Sequence, residues 1–179
     1  MTLLRVCKQL AAFALAAAMT GSPLAPAARA ASDIATGPSG LPLPRFVSLK
    51  ADKVNMHIGP AKNHEVKYLY QRAGLPVEIT AEFENWRRIR DADGTEGWVY
   101  HSLLSGRRTG MVIAKNPDDL VAVYDKPDVE SAVTARLERG VVGAVKRCND
   151  GWCTISGRGF EGYIQQVRLW GVYPNEKVD

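Results

Sequence analysis

A hairpin written twice constrains this chain more than anything else in it. Asn85-Trp86-Arg87-Arg88-Ile89-Arg90 is followed by Asp93-Gly94-Thr95-Glu96-Gly97-Trp98-Val99. Further along, Gly151-Trp152-Cys153-Thr154-Ile155 is followed by Arg158-Gly159-Phe160-Glu161-Gly162-Tyr163-Ile164. Gly94 and Gly159, Gly97 and Gly162, and Trp98 and Tyr163 are each 65 residues apart, and Trp86 and Trp152 are 66 apart. That period is too long for a solenoid repeat and suits a small domain. The chain therefore reads as two tandem copies of one small β-domain.

The first 30 residues stand apart. Arg5 and Lys8 precede an apolar run from Leu10 to Met19, and Ala28-Arg29-Ala30 closes the segment. A basic start, a short apolar stretch and an Ala-x-Ala site describe a secretory signal peptide. The run has ten residues, about half of the roughly 20 that span a bilayer. The competing reading is an uncleaved anchor. Export implies a periplasmic or secreted protein with no membrane span after cleavage.

Removing that segment changes the charge argument. The whole chain has 23 Lys and Arg against 19 Asp and Glu. Residues 1–30 hold three bases and no acid, leaving 20 against 19. A nucleic-acid partner calls for a strong basic excess, and the balance excludes that class. Residues 41–110 hold 11 bases to 8 acids, and 111–179 hold 9 to 10. The first copy is thus better suited to an anionic surface.

Cysteine usage agrees with export. Cys7 lies in the leader, and Cys148 and Cys153 flank Asn149-Asp150-Gly151-Trp152. Asp-Gly favours a two-residue hairpin turn, which sets Cys148 opposite Cys153. A non-hydrogen-bonded pair places Cα atoms about 4.5 Å apart, within reach of a disulfide. An oxidising compartment favours the bond. Two free thiols, or half of a metal site with no visible other half, are the alternatives.

Ala31 to Pro44, rich in Ala, Ser, Gly and Pro, reads as a semi-extended linker. The first copy spans 45–110. Phe46–Leu49 is expected as an edge strand, Val54–His57 as the next, and Val66–Gln71 as extended with Tyr68 and Tyr70 on one face. Leu75–Phe83 is expected as a strand with Leu75, Val77, Ile79 and Ala81 on one side. The hairpins follow, then one helical turn at Ser102–Leu104, then a closing strand over Arg107–Ile113. The second copy spans 111–173, with a tail over 174–179. No segment carries a helical period over three turns. Short strands with frequent turn signals argue an all-β barrel or sandwich.

Val54-Asn55-Met56-His57-Ile58-Gly59-Pro60, then Asn85-Trp86, then Gly94-x-x-Gly97-Trp98-Val99, resembles the bacterial Src-homology-3 (SH3-like, SH3b) family of exported cell-envelope proteins. The family pattern has Arg and Ser where this chain has His57 and Ile58. The second copy keeps the hairpins but has Ala122-Val123-Tyr124-Asp125 in place of the Asn and the Gly-Pro. The resemblance covers 45–105 well and 112–172 loosely. It implies two tandem SH3-like β-barrels and a non-catalytic binding role towards cell-wall peptide or an envelope protein.

Enzymatic constellations are thin. The histidines are His57, His64 and His101, and there is no Gly-x-Ser-x-Gly elbow. His57 and His64 could share a metal across one loop, but exposed loop histidines are the commoner case. No cofactor is implied and no catalysis is expected. The better candidate is a surface. Alternation along the strand sets Trp86, Arg88 and Arg90 on the outer face and Ile89 inward. An exposed Trp between guanidinium groups suits stacking on a peptide while pairing with carboxylates, such as those of peptidoglycan stem peptides. Tyr100, just past the Gly97-Trp98-Val99 strand, joins the set because SH3-like barrels place part of their groove there. The competing reading has Trp86 covering the barrel or the joint between copies, in a structural or adaptor protein that mediates oligomerisation. The second copy has Thr154 for Arg88 and Gly157 near Arg90, so its equivalent face is expected to be less charged, and structural or matched to a different partner.

Overall fold

A computed structural model describes residues 35–179. The leader and the first residues of the linker lie outside the described residues. Nearly every element is a strand, joined by short turns. No helix among the described residues is long and apolar enough to cross a membrane.

The first barrel is a seven-stranded sheet. Its strands are β3 (Arg45–Leu49), β4 (Val54–His57), β5 (Val66–Tyr70), β6 (Pro76–Phe83), β7 (Trp86–Arg90), β8 (Glu96–Tyr100) and β9 (Leu104–Ser105). They lie in the order β5-β4-β8-β7-β6-β3-β9. The second barrel uses β10 (Thr109–Val112), β11 (Val121–Tyr124), β12 (Val133–Leu137), β13 (Val142–Asn149), β14 (Trp152–Gly157), β15 (Phe160–Gln165) and β16 (Leu169–Trp170). Their order is β12-β11-β15-β14-β13-β10-β16, strand for strand the same. Even the irregularities repeat: β6 bulges between Ile79 and Ala81, and β13 between Val145 and Arg147. The repeat seen in sequence is a repeat of topology.

Each barrel fills itself with one set of alternating side chains. Val47, Leu49, Val54, Met56, Val77, Ile79, Ile89 and Val99 form the first core. Val112, Val123, Ile155, Ile164 and Leu169 join the two cysteines in the second. Cys148 faces Cys153 with Cα atoms 4.1 Å apart, and the sulfurs are bonded. The turn beneath them has Asp150 at φ 49° and Gly151 at φ 80°, as a tight Asp-Gly hairpin needs. The expected single turn is there as a 3-10 turn over His101–Leu103, with its counterpart over Gln166–Arg168.

Four expectations need correction. Phe46–Leu49 is not an edge, because β3 pairs with β6 on one side and β9 on the other. Arg107–Ile113 does not close the first barrel: Leu104–Ser105 does, and Thr109–Val112 pairs with β13 and β16 in the second sheet. Ala81 leaves the alternation of Leu75, Val77 and Ile79 because the bulge adds a residue there. Part of the linker is also structured. Ala35–Thr36 (β1) pairs with Pro42–Leu43 (β2), and Leu43 packs against the first core.

That hairpin is clipped down by Glu82. The carboxylate accepts from the Ser39 N–H and hydroxyl, both at 2.8 Å, and from Arg45 at 2.6 Å, with the Arg87 Nε at 3.1 Å. Burial pushes the Glu82 carboxyl up, but the hydrogen bonds from Arg45 and Ser39 and the charge of Arg87 outweigh it and hold the pKa at about 2.

The barrels meet along β6 and the segment after β16. The Phe46 ring lies edge-on to Trp170 at 5.0 Å and against Tyr173 at 4.6 Å. The Trp170 indole N–H donates to the Pro76 carbonyl at 3.1 Å. Gly171, at φ 116°, passes so close to the Thr109 carbonyl that a Cβ would lie 2.3 Å from the oxygen. Only glycine fits this crossing.

Candidate functional site

The outer face of the β7–β8 hairpin carries three cross-strand pairs: Trp86 with Tyr100, Arg88 with Trp98, and Arg90 with Glu96. Alternation therefore predicts the face of each residue correctly. What each side chain meets there differs from one pair to the next.

Trp86 is on the outer face yet only 6 % exposed, which corrects the expectation of a solvent-facing indole. His57 from β4 packs edge-on at 5.3 Å and Tyr100 edge-on at 5.5 Å, closing over its two sides. Alternation tells which way a side chain points and not what folds over it. Trp86 is absent from the first core and from the joint between barrels; it is the floor of a groove. That groove, about 640 Å³, is walled by His57, Tyr100, Asn55 and Leu69, with Lys53 and Lys62 at its sides. None of its lining residues is acidic. The Lys62 ammonium lies 5.8 Å from the centre of the Tyr100 ring, within cation–π range. His57 Nδ1 is 2.8 Å from the His64 carbonyl, so the ring donates from Nδ1 and its orientation is fixed.

The two arginines expected beside Trp86 are elsewhere. Arg88 pairs with Glu96 in a separate hollow beside Trp98, Lys67 and Ile58. Arg90 is drawn to the joint, where its Nε donates to Glu78 at 2.9 Å. Hydrogen bonding to Glu78, and its charge, push the Arg90 guanidinium above its ordinary pKa. Glu78 also accepts from the Tyr173 hydroxyl at 2.9 Å. Arg90 therefore anchors Glu78, which accepts the cross-barrel bond from Tyr173, and does not line the groove. Of the four expected site residues, the structure brings Trp86 and Tyr100 into one groove and separates Arg88 and Arg90 from it.

The basic side chains that do reach the groove, Lys53 and Lys62, come from either side of β4, and His57 from β4 itself. His57 was visible in the sequence as a departure from the family pattern. Lys53 and Lys62 carried no signal beyond the mild basic excess of the first copy. His57 and His64 meet through a carbonyl rather than as two free ring nitrogens, and no cluster of metal-ligating side chains occurs among the described residues.

The sequence model of the bacterial SH3 domain matches this chain twice, over residues 50–106 and 118–171. The chain belongs to the bacterial SH3 domain family, as two tandem copies. No curated protein matches it. Among solved structures it is similar to NlpC2 from Trichomonas vaginalis, at 16 % identity over 71 % of this chain and 48 % of that one, with a TM-score of 0.32. NlpC1 from the same organism gives 16 % identity over 70 % and 45 %, with a TM-score of 0.31. CBDP35, in its selenomethionine form, gives 18 % identity over 70 % and 94 %, with a TM-score of 0.26. The chain spans about half the length of the two NlpC proteins.

Proposed function

We propose that this chain is an extracytoplasmic, non-catalytic binding module whose first barrel holds a carboxylate-bearing cell-wall peptide in the Trp86–Tyr100 groove. The observation that carries this reading is the composition of that groove: aromatic walls, Lys53 and Lys62 at its sides, and no acid among the lining residues. An aromatic wall gives a peptide backbone or side chain a flat surface at low entropic cost. The ammonium groups give its carboxylates partners without a like charge to repel them. The leader-like N-terminus and the buried disulfide support an oxidising compartment.

A co-sedimentation assay on purified peptidoglycan tests it. The wild-type chain is expected in the pellet, and Tyr100→Ala combined with Lys62→Ala in the supernatant, with unchanged circular dichroism. Wild-type protein remaining in the supernatant would favour an adaptor that binds an envelope protein instead. Fractionation of expressing cells tests the location, and recovery of the chain with the cytoplasm would overturn it.

A further inference from the structure

The second barrel has its own hollow at the place that corresponds to the first groove. Tyr124 pairs with Tyr163 as His57 pairs with Trp98, and Trp152 lies edge-on to Tyr124 at 5.6 Å as Trp86 does to His57. The hollow, about 330 Å³, is lined by Leu120 and Ala122, by Arg136 of β12 and by Arg168 of the second 3-10 turn. Its chemistry is different from the first. Six arginines among the described residues are tied into ion pairs, namely Arg45, Arg87, Arg88, Arg90, Arg108 and Arg139. Arg136 and Arg168, like Arg107, Arg147 and Arg158, are in none and make no side-chain hydrogen bond among the described residues; of these five, Arg136 and Arg168 are the two that line the hollow. Asp119, the one acid on the rim, is already engaged: its Oδ2 accepts from the Asn116 side chain at 2.9 Å and backbone at 3.3 Å.

From this arrangement we infer that the second barrel carries a separate binding site for an acidic peptide segment. Two guanidinium groups without protein partners line the same hollow as Leu120 and Ala122, so a ligand that carries carboxylates around a short apolar stretch matches its chemistry. An inorganic anion would leave Leu120 and Ala122 unused. The reduced charge of the β14 face, where Thr154 stands in place of Arg88, does not speak against the site, because its cations come from β12 and the 3-10 turn. The inference does not rest on the reading of the first groove.

The test is a two-dimensional NMR titration of the full chain with acetyl-Glu-Leu-Ala-Glu-amide, and with the same peptide carrying Gln for both Glu. The acidic peptide is expected to shift the Ala122, Gln165 and Arg168 amide signals saturably, and the Gln peptide to bind at least about tenfold more weakly. Arg136→Gln and Arg168→Gln are each expected to weaken binding by about tenfold, and Arg158→Gln, outside the hollow, to leave it unchanged. Raising NaCl from about 50 to about 500 mM is expected to weaken binding in the wild type, a readout that needs no variant. Equal binding of both peptides, no saturable shift at these amides, insensitivity to salt, or an equal loss with Arg158→Gln would each overturn the inference.

Discussion

The Tyr173 hydroxyl donates to Glu78 at 2.9 Å across 95 residues of sequence, and that bond joins the two barrels. Glu78 is 3 % exposed, and its other oxygen holds Arg90. Burial and the neighbouring carboxylate push the Tyr173 phenol well above its ordinary pKa, so it remains a donor through neutral pH. Tyr173→Phe removes the donor and leaves the ring against Phe46. A hydrogen bond to a buried charged acceptor is worth about 1.5–3 kcal/mol, so a loss of that size is expected in urea unfolding. An unchanged midpoint would mean that the joint does not depend on this bond.

Glu82 makes stability depend on acid. Its folded pKa of about 2 lies below the ordinary 4.5, so its contribution is fully present above pH 4.5 and is lost as pH falls towards 2. Glu82→Gln is expected to lower stability at pH 7 and to flatten the pH dependence between about 4.5 and 2. Urea titrations at several pH values check both. Parallel wild-type and variant curves across that window would show that Glu82 is not the group responsible.

How much of this was legible beforehand depends on which physical signal carried it. The tandem repeat, the hairpins and the Cys148–Cys153 bond follow from local rules of turn chemistry and alternation, and all are present in the structure. The β10 strand was assigned to the wrong barrel because Thr109–Val112 has the same apolar character as a closing strand. Its partners, β13 and β16, are 30 or more residues downstream, and nothing local names them. The groove was half legible. Trp86 and Tyr100 lie on adjacent strands, so alternation joins them. Arg90 was lost to Glu78, whose position opposite it depends on the β6 register and on the arrival of Tyr173 from the far end of the chain. A charged residue on the right face takes the nearest buried countercharge, and sequence spacing does not reveal where that countercharge is.

The disulfide secures more than its own turn. Cys148 exchanges two backbone hydrogen bonds with Val178, at 2.8 and 3.1 Å, tying the C-terminal segment to the hairpin. That segment also places Glu176 on Arg108 and Tyr173 on Glu78. Closing so short a loop contributes about 2–3 kcal/mol on the chain-entropy account. Cys148→Ala with Cys153→Ala is expected to lose at least that much, and to speed hydrogen exchange at the Val178 amide. Unchanged exchange there would show that the segment is held independently of the bond.

Trp86 separates packing from binding. Because it is nearly buried between His57 and Tyr100, Trp86→Ala opens a hole and is expected to cost about 3–5 kcal/mol. Any loss of ligand binding in that variant is confounded with loss of structure. Trp86→Phe keeps a ring between the same neighbours and is expected to cost roughly half as much, since it removes part of the buried surface and no strand pairing. Tyr100 is partly exposed at the groove wall, so Tyr100→Ala should cost less again while removing the face on which a ligand stacks. The expected order of destabilisation is therefore Trp86→Ala, Trp86→Phe, Tyr100→Ala, with Tyr100→Ala the most damaging to peptidoglycan co-sedimentation per unit of stability lost. Thermal unfolding and co-sedimentation measured on the same preparations check the order. If Trp86→Phe binds as poorly as Tyr100→Ala at unchanged melting temperature, the indole itself contacts the ligand, and the groove is deeper than its walls in the free protein.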